Sequence, residues 1–281
     1  MLLTLASAAA MVSCGQKSAK DGDENFRYLI DQFADIKIMR YRIPGWEDLS
    51  LRQKEYIYHL SEAAKYGWDI HWDQNCRYNL DVRNVLQDII EKYDGDRNCG
   101  DYADFLVYAK RVFFSNGIHH HYAEDKFTPE CSEEYFRSLM EAVGHGEECD
   151  KLIPVIYDPA ILSQRRSSDP EGDIVALSAV NFYEGVTREE VEAYYDSIID
   201  RNDPHPISYG LNTKVVKNEE GKVVELPWKV GGIYGPALEK ICEELEKAKA
   251  VAEHDTQRQA ISGLPEYYRT GDRRLWDKDN I

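Results

Sequence analysis

The chain has 281 residues, and its 34 Lys and Arg against 51 Asp and Glu leave a formal charge of −17. That balance excludes a nucleic-acid binder, which relies on clustered Lys and Arg against phosphate. At 43% hydrophobic and 11% aromatic, the chain has the apolar bulk for one large domain or two ordinary ones, which excludes wholesale disorder. No run approaches the roughly 18 to 20 apolar residues of a membrane span.

Residues 1–13, MLLTLASAAAMVS, are small and apolar, and the polar run CGQKSAKDGDE follows. A short apolar stretch ending in small residues reads as an export signal. Cys14 at the cleavage point is the bacterial lipoprotein arrangement, in which the new N-terminal thiol takes a diacylglyceryl group. Met11-Val12-Ser13-Cys14 fits that pattern loosely, since Leu is usual at the first position and no positive charge precedes the apolar stretch. An incidental Cys on an apolar tail is the other reading. The lipoprotein reading predicts a signal over 1–14, lipidation of Cys14 and a flexible tether over 15–25. It places the protein in the bacterial cell envelope, lipid-anchored or periplasmic. Cys76, Cys99, Cys131, Cys149 and Cys242 are irregularly spaced with no C-x-x-C pair, so they read as packed thiols.

Farther along, Phe26, Leu29, Ile30 and Phe33 sit at helical spacing, while Ile36, Ile38, Tyr41 and Ile43 alternate as in a strand. Pro44-Gly45 is a break. Ser50 with Gln53 three residues on is a capping-box pattern that opens a helix ending at Gly67. Tyr56, Ile57, Leu60, Ala63 and Ala64 form its apolar face. Further helices are predicted over about 77–92, 101–113, 132–143, 158–164, 187–200 and 235–253. Strand patterns fall at 173–177 and 180–183, and a hairpin at 210–217 and 222–228 around Asn218-Glu219-Glu220-Gly221. Helices, then a small sheet, then helices is the order of an α+β fold.

The most conspicuous polar cluster is Ser115-Asn116-Gly117-Ile118-His119-His120-His121-Tyr122. In an extended chain His119 and His121 share a face and His120 points away. Two imidazoles on one face are half a metal site. A hydrogen-bonding loop, a half metal site and a substrate contact all remain open here. His145-Gly146-Glu147-Glu148-Cys149 lacks the H-E-x-x-H spacing and reads as a loop after a helix. Gly231-Gly232-Ile233-Tyr234-Gly235-Pro236 matches no phosphate-binding loop. It reads as a tight turn into a helix with Pro236 in the first turn. G-x-S-x-G is absent. The residues alone thus define no self-contained catalytic set.

Several segments together carry a resemblance. They are Phe33 to Trp46 (FADIKIMRYRIPGW), Leu49 to Gly67 (LSLRQKEYIYHLSEAAKYG), Asp69 to Asn75 (DIHWDQN) and Val112 to Tyr122 (VFFSNGIHHHY) ahead of Lys126-Phe127-Thr128-Pro129. The strand pair around 209–228 and the helix Leu238 to Glu253 add to them. In the same order, these resemble dipeptidyl peptidase III, a zinc metallopeptidase family, in its bacterial branch. The resemblance covers residues 26–281 and implies a partial lower lobe of a two-lobed enzyme, with a small β-barrel or sheet surrounded by helices. The family holds zinc with an H-E-x-x-G-H helix and a Glu from a downstream E-E-x-R/K-A-D helix, leaving one position for water. Neither motif occurs in this sequence.

The resemblance therefore implies an N-terminal portion without catalytic residues or metal ligands, inactive alone. Zinc would belong to the complete enzyme, whose C-terminal part would be this chain's partner. The implied reaction releases dipeptides from the N-termini of short peptides. In the family, the segment matching Ser115 to Tyr122 approaches the substrate cleft, and an aromatic at the position of Tyr122 lines it. Tyr122 is thus the first expected substrate contact, then Asn116, His119, His120 and His121. The rival expectations are a non-catalytic peptide-binding surface lipoprotein and a surface lipoprotein without a ligand.

Overall fold

A computed structural model describes residues 26–279. The expected signal, tether and lipidation site at Cys14 lie outside the described residues. The chain divides into two compact units, Met1–Pro44 and Gly45–Ile281.

In the first unit, β1 (Leu29–Phe33) and β2 (Ile36–Met39) form an antiparallel hairpin with Phe33 opposite Ile36. The Arg40 amide extends the pairing by donating to the Tyr28 carbonyl at 2.9 Å. The helical spacing from Phe26 to Phe33 therefore yields a strand. Two turns of apolar spacing are too short to nucleate a helix alone, and the alternating partner lies two residues away.

The second unit begins with α1 (Leu51–Tyr66), and the expected capping box is present. The Gln53 amide donates to Ser50 Oγ at 3.2 Å, and the Ser50 amide donates to Gln53 Oε1 at 2.9 Å. Then come α2 (Trp68–Asn75), α3 (Asn79–Lys92), α4 (Gly100–Ser115), α5 (Glu133–Ala142) and α6 (Cys149–Tyr157). The expected helix over 158–164 does not form. Pro159 disfavours helical geometry in the residue before it, and Asp158 is extended, with ψ 113. The helix lies upstream instead, as α6. The strand expected at 173–177 is a single helical turn, α7 (Ile174–Leu177). Asp173 Oδ1 starts it by accepting from the amides of Val175 and Ala176.

Next come β3 (Tyr183–Glu184), α8 (Arg188–Ile198), β4 (Thr213–Lys217) and β5 (Val223–Pro227). The expected hairpin pairs Thr213 with Pro227 and Lys217 with Val223, and β3 adds in parallel to β4. These strands make an open three-stranded sheet, and no sheet closes into a barrel among the described residues. The last helices are α9 (Gly235–Ala250), α10 (Asp255–Thr270) and α11 (Arg273–Asp279).

Burial divides this α+β unit into three clusters. The largest joins α2 to α6 around Trp72, Leu86, Phe105, Phe136 and Ile153. A second packs α1 along α9 and α9 on α10, through Ala63, Leu238, Ile241, Leu245 and Ile261. Arg52 reinforces it, donating to the carbonyls of Val251 and Ala252 just past the end of α9, where a cation complements the helix dipole. The third, Val186, Val191 and Val215, lies between the sheet and α8. The described cysteines are all free thiols, as expected.

Candidate functional site

α4 ends where Asn116 adopts a left-handed conformation, φ 53 and ψ 45, which Asn tolerates better than most residues. The amides of Asn116 and Gly117 donate back to the carbonyls of Phe113 and Val112. The next residue, Ile118, is fully buried, and its amide donates to Asn79 Oδ1 at 3.1 Å. Asn79 in turn donates from Nδ2 to the Trp72 carbonyl at 2.9 Å. One buried amide side chain thus anchors the histidine loop to the largest core cluster.

The three imidazoles have different fates. His119 is only 2% exposed and faces the core. Its Nε2 lies 2.8 Å from the Leu162 carbonyl, which can only accept, so the proton sits on Nε2. Burial pushes its pKa down to about 4. His120 Nδ1 accepts from the amides of Tyr122 and Ala123 at 3.1 and 3.0 Å, which closes a tight turn. His121 Nδ1 lies 3.2 Å from Ser115 Oγ. Burial, then the neighbouring His120 and Arg165, hold the His121 pKa below its ordinary value.

The expected shared face of His119 and His121 is therefore corrected. The chain turns at His120 rather than running extended, and its ring stacks on His121 with centroids 4.7 Å apart and planes at 16°. The Tyr122 ring lies 4.3 Å from His121, and Tyr122 is 84% exposed. Phe114 meets the same imidazole edge-on at 5.2 Å. The structure thus brings His120, His121 and Tyr122 together and leaves His119 out of that patch. Asn116 meets α2 instead, its carbonyl accepting from Asn75 Nδ2 at 3.3 Å.

An ion-pair cluster braces the patch. Arg165 donates to both Glu124 oxygens at 2.8 and 2.7 Å, to the His121 carbonyl at 3.1 Å and to Asn75 Oδ1 at 3.3 Å. Arg166 reaches Glu124 at 2.6 Å from its more exposed position. Chiefly because of the Arg165 bonds, the Glu124 pKa falls to about 2. Sequence reasoning missed Asn75, Glu124, Arg165 and Phe114 as parts of this site. The adjacent Arg165-Arg166 pair in so acidic a chain was the available signal.

A catalytic zinc finds no ligand set here. Among the described residues, no group of three or more His, Cys, Asp or Glu could hold a metal ion.

No protein-family model matches the chain, and no curated protein does. Solved structures do. Dipeptidyl-peptidase III from Corallococcus sp. strain EGB aligns with TM-score 0.53 and 17% identity, over 85% of this chain and 34% of its own. The fold is dipeptidyl-peptidase III-like. DPP III from Caldithrix abyssi aligns with TM-score 0.49 and 17% identity, over 81% of this chain and 32% of its own. At such identity the likeness is one of fold alone, and the chain spans about a third of the length of these structures.

Proposed function

We propose that this chain is the peptide-contacting lobe of a dipeptidyl-peptidase III-like enzyme whose zinc ligands lie outside it. Tyr122 contacts the peptide, backed by His121 and His120. The observation that carries this reading is a Tyr left 84% exposed on a loop whose base is locked into the core. Such a side chain offers a flat apolar face and a hydroxyl at little ordering cost, which suits a peptide backbone. His121 is held toward its neutral form, so it offers hydrogen bonds rather than charge. The −17 background attracts the cationic N-terminus of a peptide. In the same reading, Cys14 carries a lipid that tethers the lobe in the bacterial envelope.

Isothermal titration calorimetry with short peptides tests the contact. Tyr122→Ala is expected to weaken binding about tenfold, equivalent to about 1.4 kcal/mol; unchanged affinity across several peptides overturns the reading. Mass spectrometry of protein made in a lipoprotein-processing bacterium tests the anchor, which an unmodified Cys14 behind an intact Met1 would refute. The coding sequence after Ile281 separates this reading from a binder that never cleaves: an open frame reaching H-E-x-x-G-H supports the enzyme.

A further inference from the structure

Arg165 and Arg166 share one carboxylate unequally. Arg165 is 12% exposed and already donates to both Glu124 oxygens, so Glu124 has its countercharge before Arg166 is counted. Arg166 adds bonds from Nη2 at 2.6 Å and from Nε at 3.3 Å, yet its side chain stays 64% exposed. Among the described residues, nothing bonds its Nη1. Glu124 is also the only charged side chain that acts on the Arg166 pKa; exposed Asp125 and Asp169, close in sequence, do not. Two guanidiniums against one carboxylate leave the cluster one unit positive, on a chain whose total is −17.

This excess charge lies beside the exposed tyrosine. The Glu124 amide donates to the His120 carbonyl at 3.1 Å, closing a turn that carries Tyr122. The Arg165 amide donates to the Glu124 carbonyl at 2.8 Å, which ties the arginine pair to that turn. Tyr122 and Glu124 are two residues apart, at most about 7 Å of chain. A peptide lying on the Tyr122 ring therefore reaches Arg166 within about two or three of its own residues. The positive field extends over the loop: after burial, Arg165 also lowers the pKa of His71, and after burial and His120 it lowers that of His121. A carboxylate fits what is left over. It accepts from the open edge of a guanidinium, and it meets there a positive point on an otherwise repelling molecule.

We infer that Arg166 recognises a carboxylate of the peptide that lies on Tyr122. The inference rests on the peptide-contact reading and adds a preference to it: peptides that bring a carboxylate to this point bind better than those that do not. Calorimetric titration of the full chain at pH 7 and low salt tests it with three peptides. Tetra-alanine presents a terminal carboxylate, Ala-Ala-Glu-Ala amide presents a side-chain one, and tetra-alanine amide presents none. At least one of the two acids is expected to bind about three- to fivefold tighter than the neutral-ended amide, the range of an exposed ion pair. Which of them gains assigns the source of the carboxylate. The advantage should shrink at about 0.5 M salt. Arg166→Gln, in which Arg165 still holds Glu124, should bring the favoured acid to the level of the amide. Arg201→Gln, at an exposed arginine paired with Asp196 beyond α8, should keep the difference. Equal affinity for all three peptides, with Tyr122→Ala weakening each, overturns this inference and leaves the tyrosine contact standing. A preference that survives Arg166→Gln also overturns it, and binding of none of the peptides overturns both.

Discussion

Gly117 and Asn79 share one space: a Cβ on Gly117 would lie 2.3 Å from Asn79 Nδ2 and 2.9 Å from its Cγ. Gly117 also has φ 150, a conformation that side chains rarely adopt. The glycine lets the backbone pass against the amide that holds Ile118 and Trp72 together. Gly117→Ala is therefore expected to push Asn79 aside, leave buried backbone groups unpaired and cost on the order of 2–4 kcal/mol. Urea unfolding measures it, and a change below about 0.5 kcal/mol would show that the two residues are not coupled.

This contact also marks where the sequence was legible. Ser50 with Gln53 and the hairpin around Asn218 to Gly221 are local patterns, and both appear as read. Pro236 does lie in the first turn of α9. Other failures, unlike the local ones at Pro159 and Asp173, are positions where distant partners decide. α10 contains Gly263 and Pro265, which locally oppose a helix, yet Ile261, Pro265 and Tyr267 are buried on its inner side, so packing overrides propensity. α2 has no single apolar face, because Trp72, Asn75 and Gln74 serve the core, the loop and a cavity. Within the candidate site, the His119-His120-His121 run was visible, but its geometry was not. Asn79, Glu124 and Arg165 shape the loop, and none of them is recognisable from spacing.

His119 gives the chain a pH dependence of known sign. Its pKa is about 4 in the fold, against about 6.5 in an unfolded chain. Between those values the unfolded state takes a proton that the native state refuses. Stability therefore falls as pH drops from about 6.5 to 4 and levels off below. The full loss is on the order of 3 kcal/mol. His119→Gln, which keeps a donor toward the Leu162 carbonyl, should flatten this window. Chemical denaturation at pH 7, 6, 5 and 4.5 compares the two, and equal slopes for wild type and variant would refute the assignment.

Glu124 acts in a lower window. Its pKa is about 2 in the fold and near 4.3 when unfolded, so its ion pairs stabilise fully above the unfolded value. That contribution is lost as pH falls from about 4.3 to 2. With a side chain 18% exposed, it amounts to about 2–3 kcal/mol at neutral pH. Glu124→Gln should lower stability at pH 7 and bring the variant close to wild type near pH 2. A constant difference across that range, measured by guanidinium unfolding, would place its effect in packing rather than charge.

Lys126 separates a loop that is built from a surface that is used. Its Nζ donates to the carbonyls of Val155 at 2.9 Å, Ile161 at 2.7 Å and Asp158, which gathers the end of α6 and the turn after it. A cation at a helix C-terminus also complements the dipole. Burial lowers the Lys126 pKa from its ordinary value, yet all three partners are acceptors, which an ammonium satisfies best. Lys126→Met keeps the apolar stem and leaves those carbonyls without the ammonium, at an expected cost of about 2–4 kcal/mol. Tyr122→Ala, at an 84% exposed position, should change stability by less than about 0.5 kcal/mol. Thermal unfolding of both variants reads the contrast. If Tyr122→Ala destabilised as much as Lys126→Met, Tyr122 would be a support of the loop rather than its exposed contact surface.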